Sequence, residues 1–190
     1  MPKSLIFLET GVRNVWHRGK GLLLKAYLRL HGCRVGRRLK CKSWPIFRNY
    51  PFKNITFGDF VTIGYGITLD LSGEGKLLLG DRVNLTQNIL ISASAEVRIG
   101  SWTLVAENVS IRDSDHQTLR KEPIATQKIV SKPIRIGDDV WIGAGCFILK
   151  GAVIKDGAVI GANSVVTERS LIDENGIYAG SPVTCLKARR

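Results

Sequence analysis

Aliphatic residues recur at every sixth position over most of the chain. From Ile136 the series runs without a gap to Val166, and three shorter frames with the same spacing lie upstream. The four frames contain 15 positions, all of them apolar: Phe57, Ile63, Leu69, Leu79, Leu85, Ile91, Ile99, Val105, Ile111, Ile136, Ile142, Ile148, Ile154, Ile160 and Val166. Neither the 3.6-residue period of a helix nor the simple alternation of a strand produces this spacing. The pattern instead predicts short strands separated by bends.

Uncharged residues also occupy the position two before each repeat residue, and glycine often follows the repeat residue. These glycines are Gly58, Gly64, Gly80, Gly100, Gly137, Gly143 and Gly161. A short strand with two inward-facing residues, followed by a tight bend, has this pattern. Three such steps close a triangular coil of about 18 residues, and stacked coils bury a core that no single coil could bury. The sequence therefore predicts a mainly β solenoid over residues 49–172.

The repeat has one large interruption and one end. Between Ile111 and Ile136 the spacing is lost, so residues 113–133 are predicted to leave the solenoid as a long polar loop. A loop of that length in a compact domain is uncommon and usually functional. After residue 172 the repeat stops, and we expect residues 173–190 to form a C-terminal extension that ends in a short helix.

The segment before the repeat, residues 1–48, differs from it in charge. It holds 12 Lys and Arg residues and one acid, Glu9, in a chain whose net charge is +12. Apolar residues on one helical face predict an amphipathic helical segment, with a break near Gly19–Gly21. The apolar positions are Leu5, Leu8, Val12, Val15, Trp16, Leu23, Tyr27 and Leu30. Such a segment could pack over the end of the solenoid, lie on an anionic membrane surface or bind nucleic acid. The first two are compatible, and no nucleic-acid motif accompanies the charge.

Cysteine and histidine usage narrows the chemistry. The 4 cysteines are far apart and form no CxxC pair, so we predict reduced thiols, a cytoplasmic protein and no structural zinc site. No apolar run approaches the length of a membrane span, and the first residues are too few for a signal-peptide core. Of the 3 histidines, His116 alone lies in the repeat region. The repeat region therefore has too few histidines for a zinc site built from three of them, as in γ-class carbonic anhydrases.

The six-residue repeat resembles that of the hexapeptide-repeat acyltransferases, whose members form a left-handed parallel β-helix. Residues 79–116 look like the corresponding stretch of maltose and galactoside O-acetyltransferases, and the letters DSDHQ (113–117) are more similar to the branch that acetylates bacterial surface polysaccharides. The resemblance implies an O-acetyltransferase that moves an acetyl group from acetyl-CoA to a sugar hydroxyl of a surface polysaccharide or its lipid-linked precursor. It implies acetyl-CoA as a co-substrate, with no permanently bound cofactor and no metal.

The same resemblance assigns residues and an assembly. It makes His116 the catalytic base and Asn88 an acceptor-binding residue. Its acetyl-CoA tract corresponds to Trp141, Gly143, Ala144, Ala162 and Thr167. For the coenzyme A phosphates the C-terminal coils offer several cations, among which Lys187 is a candidate beside Lys150, Lys155, Arg189 and Arg190. The family also implies a homotrimer with active sites between subunits.

The residues fit this chemistry. Acetyl transfer from a thioester to a hydroxyl needs a base, and a neutral imidazole, with an ordinary pKa of about 6.5, can serve near pH 7. Asp113 or Asp115 could orient the ring, and a backbone N–H near Gly143–Ala144 is the candidate donor to the oxyanion. Two departures from the family pattern argue against a simple maltose or galactoside acceptor. The family's acceptor-binding acidic residue would fall at about Ala93–Ser94, where this sequence has no acid, and Glu168 stands where the family has a lysine.

Two other functions stay open. One is an N-acetyltransferase of an amino sugar nucleotide, which would use the same solenoid and the same base. The other is a non-catalytic β-helix scaffold, which would need neither His116 nor the acetyl-CoA tract. Serine acetyltransferase is disfavoured because its large N-terminal helical domain has no counterpart in residues 1–48. The location we expect is the cytoplasm, with residues 1–48 as a peripheral contact to the inner face of a bacterial membrane.

Overall fold

Three parallel sheets form the faces of a triangular solenoid in the computed structural model, which describes residues 3–190, with side chains from Gly11 onward. Each coil contributes one short strand to each sheet. Sheet A contains β1 (Arg34–Val35), β4 (Ile55–Phe57), β7 (Lys76–Leu79), β10 (Glu96–Ile99), β15 (Ile134–Ile136) and β18 (Val153–Ile154). Sheet B contains β2 (Lys40–Cys41), β5 (Thr62–Tyr65), β8 (Asn84–Gln87), β11 (Leu104–Val105), β16 (Trp141–Ile142), β19 (Val159–Ile160), β21 (Gly176–Gly180) and β22 (Val183–Ala188). Sheet C contains β3 (Ile46–Phe47), β6 (Thr68–Leu71), β9 (Leu90–Ala93), β12 (Ser110–Arg112), β17 (Phe147–Ile148) and β20 (Val165–Val166).

The parallel register stacks the repeat residues in columns along the axis. Phe57 pairs with Leu79, Leu79 with Ile99 and Ile99 with Ile136. All of the repeat residues, and all of the residues two positions before them, are buried. The core is therefore one continuous column of side chains, which explains why the six-residue period was visible in the sequence. The predicted fold class is confirmed: the chain is mainly β, and the solenoid is the parallel β-helix that hexapeptide repeats form, consistent with a left-handed winding.

The long insertion is an antiparallel ribbon, which we call the arm (residues 113–133). Its strands are β13 (Ser114–His116) and β14 (Ile129–Ser131), and a single 3₁₀ turn spans Ile124–Thr126. The arm leaves the solenoid after β12 of sheet C and returns before β15 of sheet A. It therefore projects from the edge where sheet C meets sheet A.

One helix, α1 (Lys3–Leu30), closes the N-terminal end of the solenoid. It packs on β1 and β2, and two of its own side chains, Leu24 and Leu28, are fully buried. The expected break near Gly19–Gly21 is wrong, because the helix is continuous. Gly21 instead permits close approach, since a Cβ there would collide with the carbonyl oxygen of Leu39. The first coil begins at Arg34, earlier than the predicted boundary at residue 49.

The other end is closed by strands. The predicted short C-terminal helix is wrong, because residues 183–188 form β22, which pairs antiparallel with β21. β21 itself continues sheet B beside β19. A last parallel strand would leave a row of unpaired backbone groups, and β22 covers that edge. Among the described residues, no helix is long and apolar enough to cross a membrane.

Candidate functional site

His116 is an exposed residue at the base of the arm. It ends β13 and is paired across the ribbon with Ile129. Within residues 11–190, no side chain hydrogen-bonds its imidazole. The ring thus stands at the base of the arm without a side-chain partner among those residues.

Asp113 does not orient that ring. Its carboxylate is fully buried, and its two oxygens accept hydrogen bonds from the backbone N–H groups of Ser94 and Ala95, each at 2.8 Å. The carbonyl of Asp113 also accepts the N–H of Lys132 at 2.8 Å, on the returning strand of the arm. Asp113 therefore fixes the root of the arm to the coil below, and the proposed imidazole contact is absent in the described chain.

Asp115 also has another partner. Its Oδ2 lies 3.1 Å from Nζ of Lys150, at the end of sheet C in the next coil. Adjacent residues of a strand point to opposite faces, so the carboxylate of Asp115 and the imidazole of His116 lie on different sides of the ribbon. Of the two acids predicted to orient the imidazole, neither contacts it within this chain.

A second ion pair fastens the other strand of the arm. Lys132 donates from Nζ to Oε2 of Glu168, and this neighbouring ammonium holds the pKa of the Glu168 carboxyl below its usual range. Glu168 is the residue that departs from the lysine of the family pattern. Its partner in the arm supplies a structural reason for that departure. Both strands of the arm are thus tied to the coils that follow it.

A small groove lies where the arm meets those coils. It has a volume of about 290 Å³ and is lined by Asp115, Leu149, Lys150, Thr167, Glu168 and Arg169. Thr167 also lines a larger groove of about 780 Å³ beside the C-terminal hairpin. The structure therefore brings one predicted acetyl-CoA residue, Thr167, next to Asp115 at the arm.

The other predicted residues lie at a different edge, where sheet B turns into sheet C. We call it the B–C corner; the residues at its bends are Gly66, Asn88, Asn108, Gly145 and Asn163. All five have positive φ, between 51° and 68°. Asparagine and glycine tolerate this conformation better than other residues. The bends are also linked, since Asn88 Nδ2 donates to Asn108 Oδ1 at 3.4 Å. Asn88, the predicted acceptor-binding residue, is thus exposed and also part of a corner that supports the fold.

Gly143, Ala144 and Ala162 lie at the same B–C corner. Gly143 is buried, and a Cβ there would lie 2.7 Å from the backbone nitrogen of Ala162. The N–H of Gly143 donates to the carbonyl of Ile160 at 2.8 Å, so it is not available to an oxyanion. The N–H of Ala144 has no acceptor among the described residues. Of the two backbone N–H groups predicted as candidate donors to the oxyanion, only that of Ala144 is therefore available.

Trp141 presents an exposed indole on sheet B, in the same coil as Gly143 and Ala144. It is 54% exposed on the outer face of sheet B, between Leu104 and Val159 of the neighbouring coils. Its position allows it to flank a ligand that runs along the B–C corner.

The candidate cations for coenzyme A phosphates are separated by their partners. Lys150 pairs with Asp115 at 3.1 Å, Lys155 with Asp173 at 2.8 Å and Arg189 with Asp139 at 2.8 Å. Lys187, on β22, and Arg190 have no ion pair within the described residues. This favours Lys187 and Arg190 over the three paired cations for a phosphate contact.

Two features of the site region were missed in the sequence. Gln127 is 7% exposed inside the arm and holds its tip together. Its Oε1 accepts the N–H of Leu119 at 2.7 Å, and its Nε2 donates to the carbonyls of Leu119 and Glu122 at 2.8 Å each.

The second feature is a stack at the corner between sheets A and B, where the guanidinium of Arg82 lies 4.5 Å from the ring centres of both Phe60 and Trp102. The recurrence of Phe60, Arg82 and Trp102 at about one coil's spacing was the available signal.

No metal-binding cluster of three or more His, Cys, Asp or Glu side chains occurs in the described part of the chain. The buried thiols are also unreactive in character. Burial raises the pKa of Cys41 to about 11, and burial likewise raises the pKa of Cys146. The arrangement thus offers an imidazole, the backbone N–H of Ala144 and an indole as its chemical groups.

Part of this solenoid matches a known family of proteins. Residues 133–168 match the family model for the bacterial transferase hexapeptide, a unit of six repeats. The resemblance found in the sequence is therefore confirmed for that segment, which is a hexapeptide-repeat segment of the bacterial transferase kind.

Two curated relatives and one solved structure extend the comparison. The chain is 35% identical over 98 residues to WbbJ of Escherichia coli K12, named for lipopolysaccharide biosynthesis O-acetyl transfer; the match covers 47% of this chain and 50% of WbbJ. It is 38% identical over 93 residues to the acetyltransferase Rv3034c of Mycobacterium tuberculosis, covering 47% of this chain and 30% of the relative. The chain thus spans half or less of the length of these curated relatives.

The solved structure is AntD of Bacillus cereus, an N-acyltransferase in complex with dTDP and 3-hydroxybutyryl-CoA. It has a TM-score of 0.71 and 20% identity, covering 87% of this chain and 88% of AntD. At that identity the similarity establishes the shared fold.

Proposed function

We propose that the protein is an acetyl-CoA-dependent O-acetyltransferase that acts on a sugar hydroxyl of a surface polysaccharide or its lipid-linked precursor. The observation that carries the proposal is the exposed imidazole of His116, on an arm fastened to the coils that contain the transferase hexapeptide segment. The O-acetyl transferase name of WbbJ supports this class of reaction. A scaffold would not need an unpaired imidazole at that position.

In the proposed step, His116 accepts the proton of the sugar hydroxyl while the oxygen attacks the thioester carbonyl. The negative charge that develops on the carbonyl oxygen is stabilised by the N–H of Ala144. Collapse of the tetrahedral intermediate breaks the carbon–sulfur bond, and the imidazolium returns its proton to the thiolate of coenzyme A. The products are an acetyl ester and free coenzyme A, with no oxidant or reductant required.

The active unit in this proposal is a homotrimer. Within one protomer, His116 projects from the edge between sheets C and A, whereas Asn88, Ala144 and Ala162 follow the B–C corner. Sheet C separates the two edges. A neighbouring protomer whose B–C corner faces the arm would bring the base and the donor residues together. Trp141 would then flank the pantetheine arm, and Thr167 and Lys187 would contact the rest of coenzyme A.

The acceptor is the part of the proposal with a specific alternative. AntD shares the fold and is named an N-acyltransferase, with dTDP bound in its structure, so an amino sugar nucleotide is the second candidate acceptor. An amine acceptor would use the same base and the same donor.

We place the protein in the cytoplasm, with peripheral contact to the inner face of the membrane, where a lipid-linked glycan would be available.

The deciding experiment measures acetyl-CoA-dependent release of coenzyme A with lipid-linked glycan and with amino sugar nucleotide acceptors. His116→Ala should lower kcat at least about 100-fold, the usual contribution of a general base. Acetyl-CoA should still raise the melting temperature of this variant, because the donor residues are unchanged. The matched control is His31→Ala, which removes an imidazole far from the arm and should keep the rate. Full activity of His116→Ala would refute the mechanism, and the absence of any acetyl-CoA effect on melting would refute the function.

A further inference from the structure

Helix α1 has two opposite apolar faces. One face docks on the solenoid and contains His17, Gly21, Leu24 and Leu28, which are buried and spaced by four, three and four residues. At 3.6 residues per turn these positions form a single stripe along the helix. This docked face accounts for only part of the apolar residues in α1.

The opposite face of α1 is apolar and exposed. We call it the outer face; its members are Val12, Val15, Trp16, Leu22, Leu23, Ala26 and Leu30. The large side chains among them are each at least 64% exposed. A helix that only covered the solenoid would place polar residues on this side. The outer face is therefore without a partner in the described chain.

Among residues 11–30, every charged residue that borders the outer face is a cation. Arg13 lies along one side and Arg18 and Arg29 along the other, by their positions on the helix. No Asp or Glu occurs between residues 10 and 58, a stretch that contains 12 Lys and Arg residues. Any surface that covers the outer face therefore meets positive charge at its border.

Some of the cations of α1 also have a structural role. Lys25 donates to the carbonyl of Gly36 at 2.7 Å, Arg29 to that of Val35 at 2.8 Å, and Lys20 to that of Lys42. These carbonyls belong to the first coil, which has no preceding coil to pair with. The basic side chains thus cap the open end of the solenoid and fix α1 rigidly upon it. The outer face is held at a defined orientation to the site.

We propose that the outer face of α1 inserts into the interface of a membrane that contains anionic lipid. Apolar side chains between flanking cations are the pattern of an interfacial helix, and each cation near such a surface adds about 1 kcal/mol. A second copy of the same face is disfavoured, because it would oppose Arg13, Arg18 and Arg29 to identical charges. Phe52, another exposed apolar residue, lies near the C-terminal end of α1, since the N–H of its neighbour Lys53 bonds to the carbonyl of His31 at 3.0 Å.

This inference deepens the proposed function, on which it rests for its meaning. β12, the strand that leads to His116, is the fourth strand of sheet C counted from the α1 end. With strands about 4.8 Å apart, its coil lies about 15 Å from the first coil. A membrane at the outer face would present a lipid-linked glycan within reach of the arm. The class of acceptor that fits is therefore a sugar attached to lipid at the bilayer surface.

The test is co-sedimentation of the full chain with vesicles, with no acetyl-CoA or acceptor present. Vesicles of phosphatidylcholine alone are compared with vesicles that also contain phosphatidylglycerol, and binding to the second should be at least about tenfold tighter and weakened by salt. Leu22→Ser/Leu23→Ser, which alters only exposed positions, should lower binding to the anionic vesicles at least about tenfold. The matched control is Val153→Ser/Leu171→Ser, with two exposed aliphatic residues in later coils, which should bind like the original chain.

Equal vesicle binding by the helix variant and the original chain would overturn the inference. So would absence of vesicle binding together with a change in oligomeric mass of the helix variant, because the outer face would then be an interface between copies. Acetyl transfer to a soluble acceptor is measured separately. If transfer is absent but vesicle binding depends on Leu22 and Leu23, the proposed function fails while the membrane contact stands.

Discussion

The arm and the B–C corner are built by different means. The arm is fixed by side chains: Asp113 binds two backbone N–H groups, and two ion pairs fasten its strands. The B–C corner is fixed by backbone conformation, through bends with positive φ at Gly and Asn in successive coils. Backbone regularity provides a uniform track along the corner, which suits a long ligand. Side-chain anchoring positions one ionisable group, which suits proton transfer.

The comparison also shows that the two regions lie at different edges of one protomer. The proposed site uses residues from both edges, so in the proposal it forms between two copies. Each prediction below alters one region and leaves the other intact, so that the division of roles can be measured.

The largest effect is expected from mixing two inactive chains. His116→Ala removes the base, and Ala162→Trp fills the exposed position at the B–C corner; each alone should be at least about 100-fold slower. If sites form between protomers, trimers that contain both chains should recover about a third of the original activity, because one of the three interfaces in such a closed ring joins two intact halves.

The measurement is the rate of acetyl transfer by purified mixed oligomers, with the two chains carrying different tags. Each variant mixed with itself serves as the control. Mixed oligomers that stay as slow as either parent would show that base and donor residues act within one chain.

Asp113→Ala should cause the next largest change, in stability. The variant leaves two backbone N–H groups without the charged acceptor that they have in the buried root of the arm. The free energy of unfolding should fall by about 3 kcal/mol, measured by urea denaturation. Asp70→Ala is the control on the same sheet: Asp70 pairs with Arg48 at 3.4 Å at the surface, so its loss should cost under about 1 kcal/mol. Equal losses would mean that Asp113 does not anchor the arm.

Asn88→Gly tests the acceptor role against the corner role. Glycine keeps the positive φ, so the bend is preserved while the amide is lost. If Asn88 binds the acceptor, KM for the sugar should rise about tenfold, as expected for a lost polar contact of about 1.4 kcal/mol. Asn108→Gly, at the next bend of the same corner, should leave KM unchanged. A similar rise in both variants would indicate that the amides only support the corner.

Much of the fold could be predicted because every coil repeats the same physical requirement. Two inward residues per strand must be apolar or small, and this requirement repeats at each of 15 positions. The ends carry no repeat, and there prediction was weaker. Gly21 was predicted to break the helix but instead permits close contact with Leu39. Residues 183–188 form a strand because they pair with β21, the last parallel strand of sheet B. Both outcomes depend on tertiary neighbours that local pattern cannot show.

The site residues were harder to assign than the fold. Asp113 and Asp115 are close to His116 in sequence, which suggested an orienting role, but their carboxylates contact Ser94, Ala95 and Lys150 instead. Those partners come from the preceding and the following coil. A one-residue offset in a strand also reverses the direction of a side chain. Sequence proximity therefore suggested a site region but could not determine the contacts within it.

The smallest predicted effect concerns pH and the docking of α1. His17 is 5% exposed, its Nδ1 has no hydrogen-bond partner, and its Nε2 lies 3.4 Å from the hydroxyl oxygen of Tyr65. Burial lowers the pKa of His17 from its usual 6.5, and the charges of Lys20, Lys40, Lys42 and Arg13 lower it further.

Below pH 6.5 the unfolded chain then binds more protons at His17 than the folded chain does. Stability should be fully present above pH 6.5 and should decrease as the pH falls below it. His17→Gln should have a shallower decrease in melting temperature between pH 7 and pH 5 than the original chain, whereas His31→Gln should keep the original slope. Parallel curves for His17→Gln and the original chain would show that this imidazole does not couple protonation to the packing of α1.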